Sequence, residues 1–386
     1  MKKALVLGGN SGIGLAISAK LLSKYDHVYI VGKDAPRAQD IPAECAQDFA
    51  TKTSFYRVDL AQDDLSVFDT ITDVNTLMIT AGFGRVALFE NLTEPEVKNL
   101  LQVNCASIIR VIKKYYPLIK SDQDFYVAVM GSIAGHVSSP FFSVYSAAKA
   151  GLCRFIESLN AELSAANCRN RILDVSPGAL RGTAFNGGEN HLDLLDDVAT
   201  QILQRAYARE TLYIPQYQET YCGVIERYRN DPLAFGADSY RYKAEGGRIS
   251  DKPQVTVGYL SGTFDLFHIG HLNLLRRAKE QCDYLIVGVH SSGSWKGKET
   301  FIPFEERCAI LKSIRYVDLV IESPVEDSDA WDVYHYDKLF VGSDYKGTER
   351  FNRYEQILRG KAEIVYFPYT QGTSSTQLRD ALSKKK

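Results

Sequence analysis

Two α/β units in tandem, each a parallel sheet with helices on its faces, are predicted by three features of this 386-residue sequence. Short apolar runs alternate with helical patterns along most of the chain, as they do where crossover helices join parallel strands. A glycine-rich strand-to-helix turn opens the chain at Gly8-Gly9-Asn10-Ser11-Gly12-Ile13-Gly14. A second such turn, Gly262-Thr263-Phe264-Asp265-Leu266-Phe267-His268-Ile269-Gly270-His271, stands past the middle.

Composition sets the bounds. The length suits two ordinary domains, and 45% hydrophobic residues suffice for their cores. A net charge of −2 offers no basic surplus for nucleic acid. Seven scattered cysteines, with no C-x-x-C pair, read as reduced cytosolic thiols; no zinc-like ligand set is visible. The apolar run Ala4–Leu7 is too short for a signal peptide, and no run of eighteen apolar residues could span a membrane. A cytoplasmic protein acting on small molecules is expected.

In the first half, Ala4–Leu7 reads as a buried strand running into the first glycine turn and a helix through Leu22. Such a turn lets a pyrophosphate approach the backbone at a helix N-terminus. Further strands fall at 27–31, 55–58, 77–79, 125–130, 172–175 and 212–214, with helical patterns between. Tyr145 and Lys149 lie one helical turn apart and so share a face. An ammonium beside a phenol lowers its pKa from about 10 and makes it a usable acid.

These residues resemble the short-chain dehydrogenase/reductase family over about Lys2 to Pro215. Gly8, Gly12 and Gly14 carry the resemblance, with Asp59-Leu60, Ala81-Gly82, Asn104, Gly131-Ser132, Tyr145 to Lys149, Pro177-Gly178 and Thr183. Leu7 and Thr80 depart from it, where Thr and Asn are usual. The resemblance implies a Rossmann-type doubly wound sheet and a nicotinamide cofactor held by the first turn, Asn10, Ser11 and Ile13 included. It implies Tyr145 as proton donor, Ser132 on the reacting oxygen, Lys149 on the cofactor ribose, Asn104 holding a relay water and Asp59 by the adenine. Lys33, at the end of the second strand, points to NADPH; adjacent Asp34 leaves NADH as the alternative. Arg85 and Arg181 flank the expected substrate cleft and are candidate phosphate clamps or plain surface arginines.

From Gln216 to Pro253 the sequence reads as neither strand nor clean helix, although 221–228 suits one helical piece. Its tyrosines, Tyr217, Tyr221, Tyr228, Tyr240 and Tyr242, are too many for a bare linker, so some should pack on a domain or a second subunit. The expected organisation is a reductase domain over 1–216, a connecting segment over 217–253 and a second domain over 254–386.

In the second half, the apolar run Val255–Leu260 leads into the turn at 262–271. There a helix start offers N–H groups to phosphate, and two histidines three apart add imidazole donors. Strands follow at 284–289, 338–341 and 364–367, and a helix begins at Phe304. Lys296 and Lys298 lie in a glycine-broken loop and suit a triphosphate.

This half, about Val255 to Leu382, resembles the HxGH nucleotidyltransferases, specifically the cytidylyltransferases acting on glycerol, choline and ethanolamine phosphates. The residues that carry it are Gly262 to Asp265, His268, His271, Arg307, Arg315-Tyr316-Val317-Asp318, Gly342 with Asp344, and Gly372-Thr373-Ser374-Ser375-Thr376 with Arg379. Tyr369 and Gln371 replace the usual Arg and Glu. The resemblance implies a Rossmann-like domain in which His268 and His271, with Lys298 and Arg315 or Ser375, stabilise in-line attack on the α-phosphate of CTP. Mg2+ would sit on the pyrophosphate, with Asp265 a candidate neighbour.

Together the halves imply reduction of a keto- or aldose phosphate to a polyol phosphate, then cytidylyl transfer to a CDP-polyol for capsule or teichoic-acid-like polymers. The alternatives are two unlinked activities, or a reductase-like half kept as a dimerisation scaffold. Both families imply a homodimer or homotetramer.

Overall fold

The computed structural model describes residues 2–62, 64–183, 185, 189–246, 249, 255–291, 300–368 and 378. The chain divides into two compact units, Met1–Pro253 and Gln254–Lys386.

The first unit holds a seven-stranded sheet, with β1 at Lys3–Leu7, β2 at His27–Gly32, β3 at Thr53–Arg57 and β4 at Thr76–Ile79. It continues with β5 at Tyr126–Met130, β6 at Ile172–Val175 and β7 at Leu212–Tyr213. The order is β3-β2-β1-β4-β5-β6-β7, with every pairing parallel. Alternate residues face opposite sides of a strand. Accordingly Leu5 and Leu7 join one apolar cluster with Val127 and Ile156, while Ala4 and Val6 join another with Ile17 and Leu173. Burial on both faces is why the strands read as continuous apolar runs. The order reverses between β1 and β4, and a crevice at such a switch point, beyond the strands' carboxyl ends, is where this architecture binds ligands.

The segment expected to be irregular is helical. After a turn at Tyr217–Tyr221, helices run over Cys222–Asn230 and Pro232–Glu245. Asp231 caps the second helix, its carboxylate accepting from the N–H groups of Leu233 and Ala234 at 3.1 and 2.9 Å, with Pro232 at its start. This Asp-Pro start signal is in the sequence and outweighs the aromatic composition. The segment packs on the first unit: Tyr240 stacks on Phe141 at 4.6 Å, and Lys243 Nζ donates to Ser139 Oγ and the Pro140 carbonyl.

The second unit holds β8 (Val257–Gly262), β9 (Tyr284–Val289), β10 (Leu319–Glu322), β11 (Lys338–Gly342) and β12 (Glu363–Phe367). They form a parallel sheet in the order β10-β9-β8-β11-β12. Tyr259 and Ile286 pack on one face, Leu260 and Leu285 on the other. Here the order reverses between β8 and β11. Among the described residues no helix is long and apolar enough to cross a membrane.

Candidate active sites

In the first unit the turn after β1 requires glycine twice. Gly8 has φ +86°, and a Cβ there would lie 2.5 Å from the Ala81 nitrogen at the end of β4. A Cβ on Gly14 would lie 2.1 Å from the Gly8 carbonyl oxygen. The helix Gly12–Leu21 therefore starts directly on the turn, its first N–H groups aimed past the strand ends, and neither Ser11 nor any other side chain caps it from the N-cap position. Asn10 lies beside Gly32, and Thr183 beside Gly12. Ile13 is buried beneath the turn. Lys33 Nζ stands 3.6 Å from Asp59 Oδ2, so the structure brings these two expected cofactor residues together. The Leu60 carbonyl accepts from the Ser107 hydroxyl at 2.7 Å, and the Pro177 carbonyl from the Ile133 N–H at 2.9 Å.

Sequence reading missed Asn190, whose Oδ1 accepts from the Gly12 N–H at 3.1 Å while its amide donates to Asp40 Oδ2 at 3.0 Å. It covers the helix start that a pyrophosphate would need. Nothing in a separation of 178 residues signals that bond.

Tyr145 and Lys149 project from the helix Ser143–Ala165 and are buried, at 8% and 1% exposure. The phenol is hydrogen-bonded to Ser132. Lys149 Nζ donates to the Met130 carbonyl at 2.7 Å and lies 5.8 Å from the Tyr145 ring centre. Asn104 sits in a wide turn, Gln102–Ala106, that interrupts its helix; such π-type turns cluster at functional sites. Its amide donates to the carbonyls of Phe83 and Leu100, and its Oδ1 accepts from the Phe83 N–H. A Cβ on Gly82 would lie 2.8 Å from Asn104 Oδ1 and 3.4 Å from Lys149 Nζ, so Asn104, Gly82 and Lys149 meet.

The expectation that Lys149 acidifies Tyr145 is not met. Burial pushes the phenol up to about 12, with the Ser132 hydrogen bond acting the other way, and it pushes Lys149 down to about 8. Stripping water from the phenol outweighs an ammonium at that distance. The environment is apolar as well, with Phe142 and Phe185 ring centres 5.4 and 5.6 Å from that of Tyr145.

Arg85 is neither a clamp nor a surface arginine. It is 4% exposed, and its Nη1 donates to both Glu96 oxygens at 2.8 and 3.0 Å and to the Asn91 carbonyl. Glu96 in turn accepts from the Thr93 N–H, closing a capping box. Arg181 is exposed.

In the second unit the helix Ile269–Lys279 begins where β8 ends, with His268 as its N-cap. His268 Nδ1 accepts from the Gly270 N–H at 3.0 Å, which leaves the neutral ring's proton on Nε2. His271 stacks on His268, and its Nδ1 is buried with no hydrogen-bond partner among the described residues. Burial, then the neighbouring imidazole, lowers His271 to about 4. Both rings are therefore neutral near pH 7 until an anion arrives to favour charge.

Phe264 and Leu266 take left-handed φ values of +52° and +48°, strained for non-glycine residues. Between them Asp265 is 3% exposed, and its carboxylate accepts from the N–H groups of Phe301 and Ile302 at 3.0–3.1 Å. It thus anchors the backbone at Phe301 and Ile302 to the turn after β8.

Arg307 does more than the resemblance suggested. It is 1% exposed and donates to the carbonyls of Thr263, His290, Ser291 and Ile302, binding three loop segments at the strand ends. Gly342 and Asp344 share that edge, the 3-10 turn Ser343–Tyr345 following β11 directly, and a Cβ on Gly342 would lie 2.4 Å from Asp344 Oδ1.

Arg315 stands near the amino ends of the strands. It follows the helix Phe304–Lys312, which returns to the strands' amino ends, where the Asp318 N–H donates to the Leu285 carbonyl. There Arg315 is exposed and bonds the Tyr316 hydroxyl. Lys296, Lys298, Tyr369, Gln371, Gly372, Thr373, Ser374, Ser375, Thr376 and Arg379 lie outside the described residues.

Comparison with known proteins assigns each unit. The short chain dehydrogenase family matches residues 2–192, and the cytidylyltransferase-like family residues 259–381. The chain is 38% identical over 131 residues to glycerol-3-phosphate cytidylyltransferase of Staphylococcus aureus, covering 32% of this chain and 92% of that one. It is 31% identical over 179 residues to carbonyl reductase family member 4 of Xenopus tropicalis, covering 46% and 75%. A crystal structure of a short chain dehydrogenase/reductase from Burkholderia phymatum in complex with NAD shares the fold, with a TM-score of 0.52 at 16% identity over 60% of this chain and 93% of that one.

Proposed function

Since the chain belongs to the short chain dehydrogenase family through its first unit and to the cytidylyltransferase-like family through its second, we propose that its two activities work in series on one substrate. The chain is an enzyme with an oxidoreductase domain and a cytidylyltransferase domain. In the proposed series, a keto- or aldose phosphate is reduced to a polyol phosphate, which CTP then converts to a CDP-polyol and pyrophosphate. Such a product is the activated unit that a capsule or teichoic-acid-like polymer consumes.

In the first step NADPH, held at the first turn, would supply hydride to the carbonyl carbon. Tyr145 gives its proton to the carbonyl oxygen, and Ser132 donates a hydrogen bond to that oxygen. Lys149 holds the cofactor ribose, and Asn104 a water that returns the proton. Gly8 and Gly14 leave the first turn without side chains where a pyrophosphate would approach, Asn190 giving up the Gly12 N–H to it, and Lys33 beside Asp59 favours the 2′-phosphate of NADPH over NADH. In the second step an oxygen of the polyol phosphate attacks the α-phosphorus of CTP, and pyrophosphate leaves. His268, His271 and Lys298 stabilise the added charge. Mg2+ bound to the triphosphate would neutralise the charge of the leaving pyrophosphate. We assign reduction to residues 1–216 with 217–253 as a brace upon it, transfer to 254–386, and a homodimer or homotetramer as the working form.

The observation that supports this reading is that the described members of each set meet: Ser132, Tyr145, Lys149 and Asn104 within the first unit, and His268 with His271 within the second. A non-catalytic scaffold has no use for the first set. The test is incubation with CTP, NADPH and a panel of ketose and aldose phosphates, watched by mass for a CDP-alcohol. No NADPH oxidation with any phosphorylated sugar sinks the series. One observation favours a second reading, an unphosphorylated carbonyl: Arg85 is bound to Glu96, and Tyr145 faces Phe142 and Phe185. Running the panel with and without phosphate separates the two.

A further inference from the structure

Beside the reductase group lies a cluster of side chains that neither step uses. His136 Nε2 stands 3.0 Å from Ser176 Oγ and 3.9 Å from Asp174 Oδ2. Cys153 Sγ stands 3.6 Å from the same Ser176 hydroxyl, which donates to Asp174 Oδ1 at 2.7 Å. The imidazole, thiol and carboxylate atoms all fall within 4.8 Å of one another. They come from the turn after Ser132, the helix Ser143–Ala165 and β6, so no sequence spacing announces them.

We propose that His136, Cys153 and Asp174 form a binding site for a borderline-soft divalent ion, zinc above all. A thiolate, an imidazole and a carboxylate are the donors zinc takes, at about 2.0–2.3 Å each. Two such donors on one tetrahedral ion stand about 3.3–3.6 Å apart. The 3.9 Å between His136 and Asp174 is close to that spacing, and side-chain rotations close the rest. Ser176 now fills the centre with its hydroxyl; it becomes a fourth contact or gives way to water. Asp174 is a buried carboxylate, and a buried charge calls for a cation. The neighbouring imidazole supplies one poorly, because burial lowers its pKa. Cys153, pushed up to about 12 mainly by burial and then by Asp174, keeps its proton until a metal displaces it. His136 also lines a cavity of about 1240 Å³ with Arg154, Arg205 and Tyr228. Cys153 is one helical turn from Lys149, so the charge of an ion there bears on the reductase group.

The test is titration of the chelator-treated, full-length protein with Co2+, read by absorption. A thiolate-to-cobalt charge-transfer band should grow to one equivalent and bleach on adding Zn2+. Cys153→Ser should abolish the band, and His136→Gln should weaken Co2+ binding at least tenfold. Melting in chelator shows whether each variant is folded; where Cys153→Ser is not, the half-buried His136 variant decides. No band in the wild type, or a band undiminished in folded variants, overturns the site.

Discussion

His271 lies nearly flat against His268, ring centres 4.0 Å apart and planes 24° from parallel. Two cations cannot share that geometry in a buried site, so the pair is built to stay neutral until phosphate supplies the counter-charge. His271 takes its proton near pH 4 when folded but near 6.5 when unfolded. Between those values the unfolded chain holds more protons, so stability falls as pH drops through the window and returns above 6.5. Lowering pH from 7 to 5 should cost the wild type about 2 kcal/mol more than His271→Gln. Calorimetric melts at the two pH values check this; an equal loss in both proteins removes His271 as the cause.

Arg307 is expected to matter for transfer without touching substrate. Its guanidinium bridges four carbonyls in fixed directions, which a lysine's single ammonium cannot copy. Arg307→Lys should lower cytidylyl transfer at least tenfold and leave reduction unchanged. Steady-state pyrophosphate release measures the first, NADPH oxidation the second.

The buried ion pair in the first unit has the opposite signature. Removing one partner strands a charge in the interior, at a cost of about 3–5 kcal/mol, whereas replacing both with apolar residues restores most of it. Arg85→Met should therefore destabilise strongly, and the double change Arg85→Met with Glu96→Leu much less. Denaturant unfolding of Arg85→Met, Glu96→Leu and the double variant gives the coupling. If Arg85→Met instead raises KM for phosphorylated substrates at wild-type stability, the arginine is a clamp after all.

What was legible in the sequence was local. Gly8 to Gly14, Tyr145 with Lys149, and His268 with His271 each do their work within one turn of backbone, and the structure holds them together. The misreadings involve partners that only folding supplies. Arg85 looks free until the helix bearing Glu96 folds against it. Asp265 binds the N–H groups of Phe301 and Ile302, a pairing that no spacing in the sequence announces. Proximity misled in one further case: Lys149 is where it was expected, but burial decides the acidity of Tyr145.

Tyr221, in the sequence one of several tyrosines expected to pack, lies beyond the family match, which ends at residue 192. Its hydroxyl accepts from the Ala179 N–H, and a Cβ on Gly178 would lie 1.6 Å from it. The ring thus rests on the Pro177-Gly178 turn at the carboxyl end of β6, where the resemblance places the cofactor. It is held there by an apolar cluster with Val137, Ile214 and Ile225. Tyr221→Phe keeps that packing and removes one hydrogen bond worth about 1 kcal/mol. Because the bond fixes backbone beside the cofactor, the loss should appear as a KM for NADPH raised about fivefold with kcat nearly unchanged. Gly178→Ala has no room beside the ring and should reduce both parameters. Equal kinetics in wild type and Tyr221→Phe would confine the tyrosine to packing.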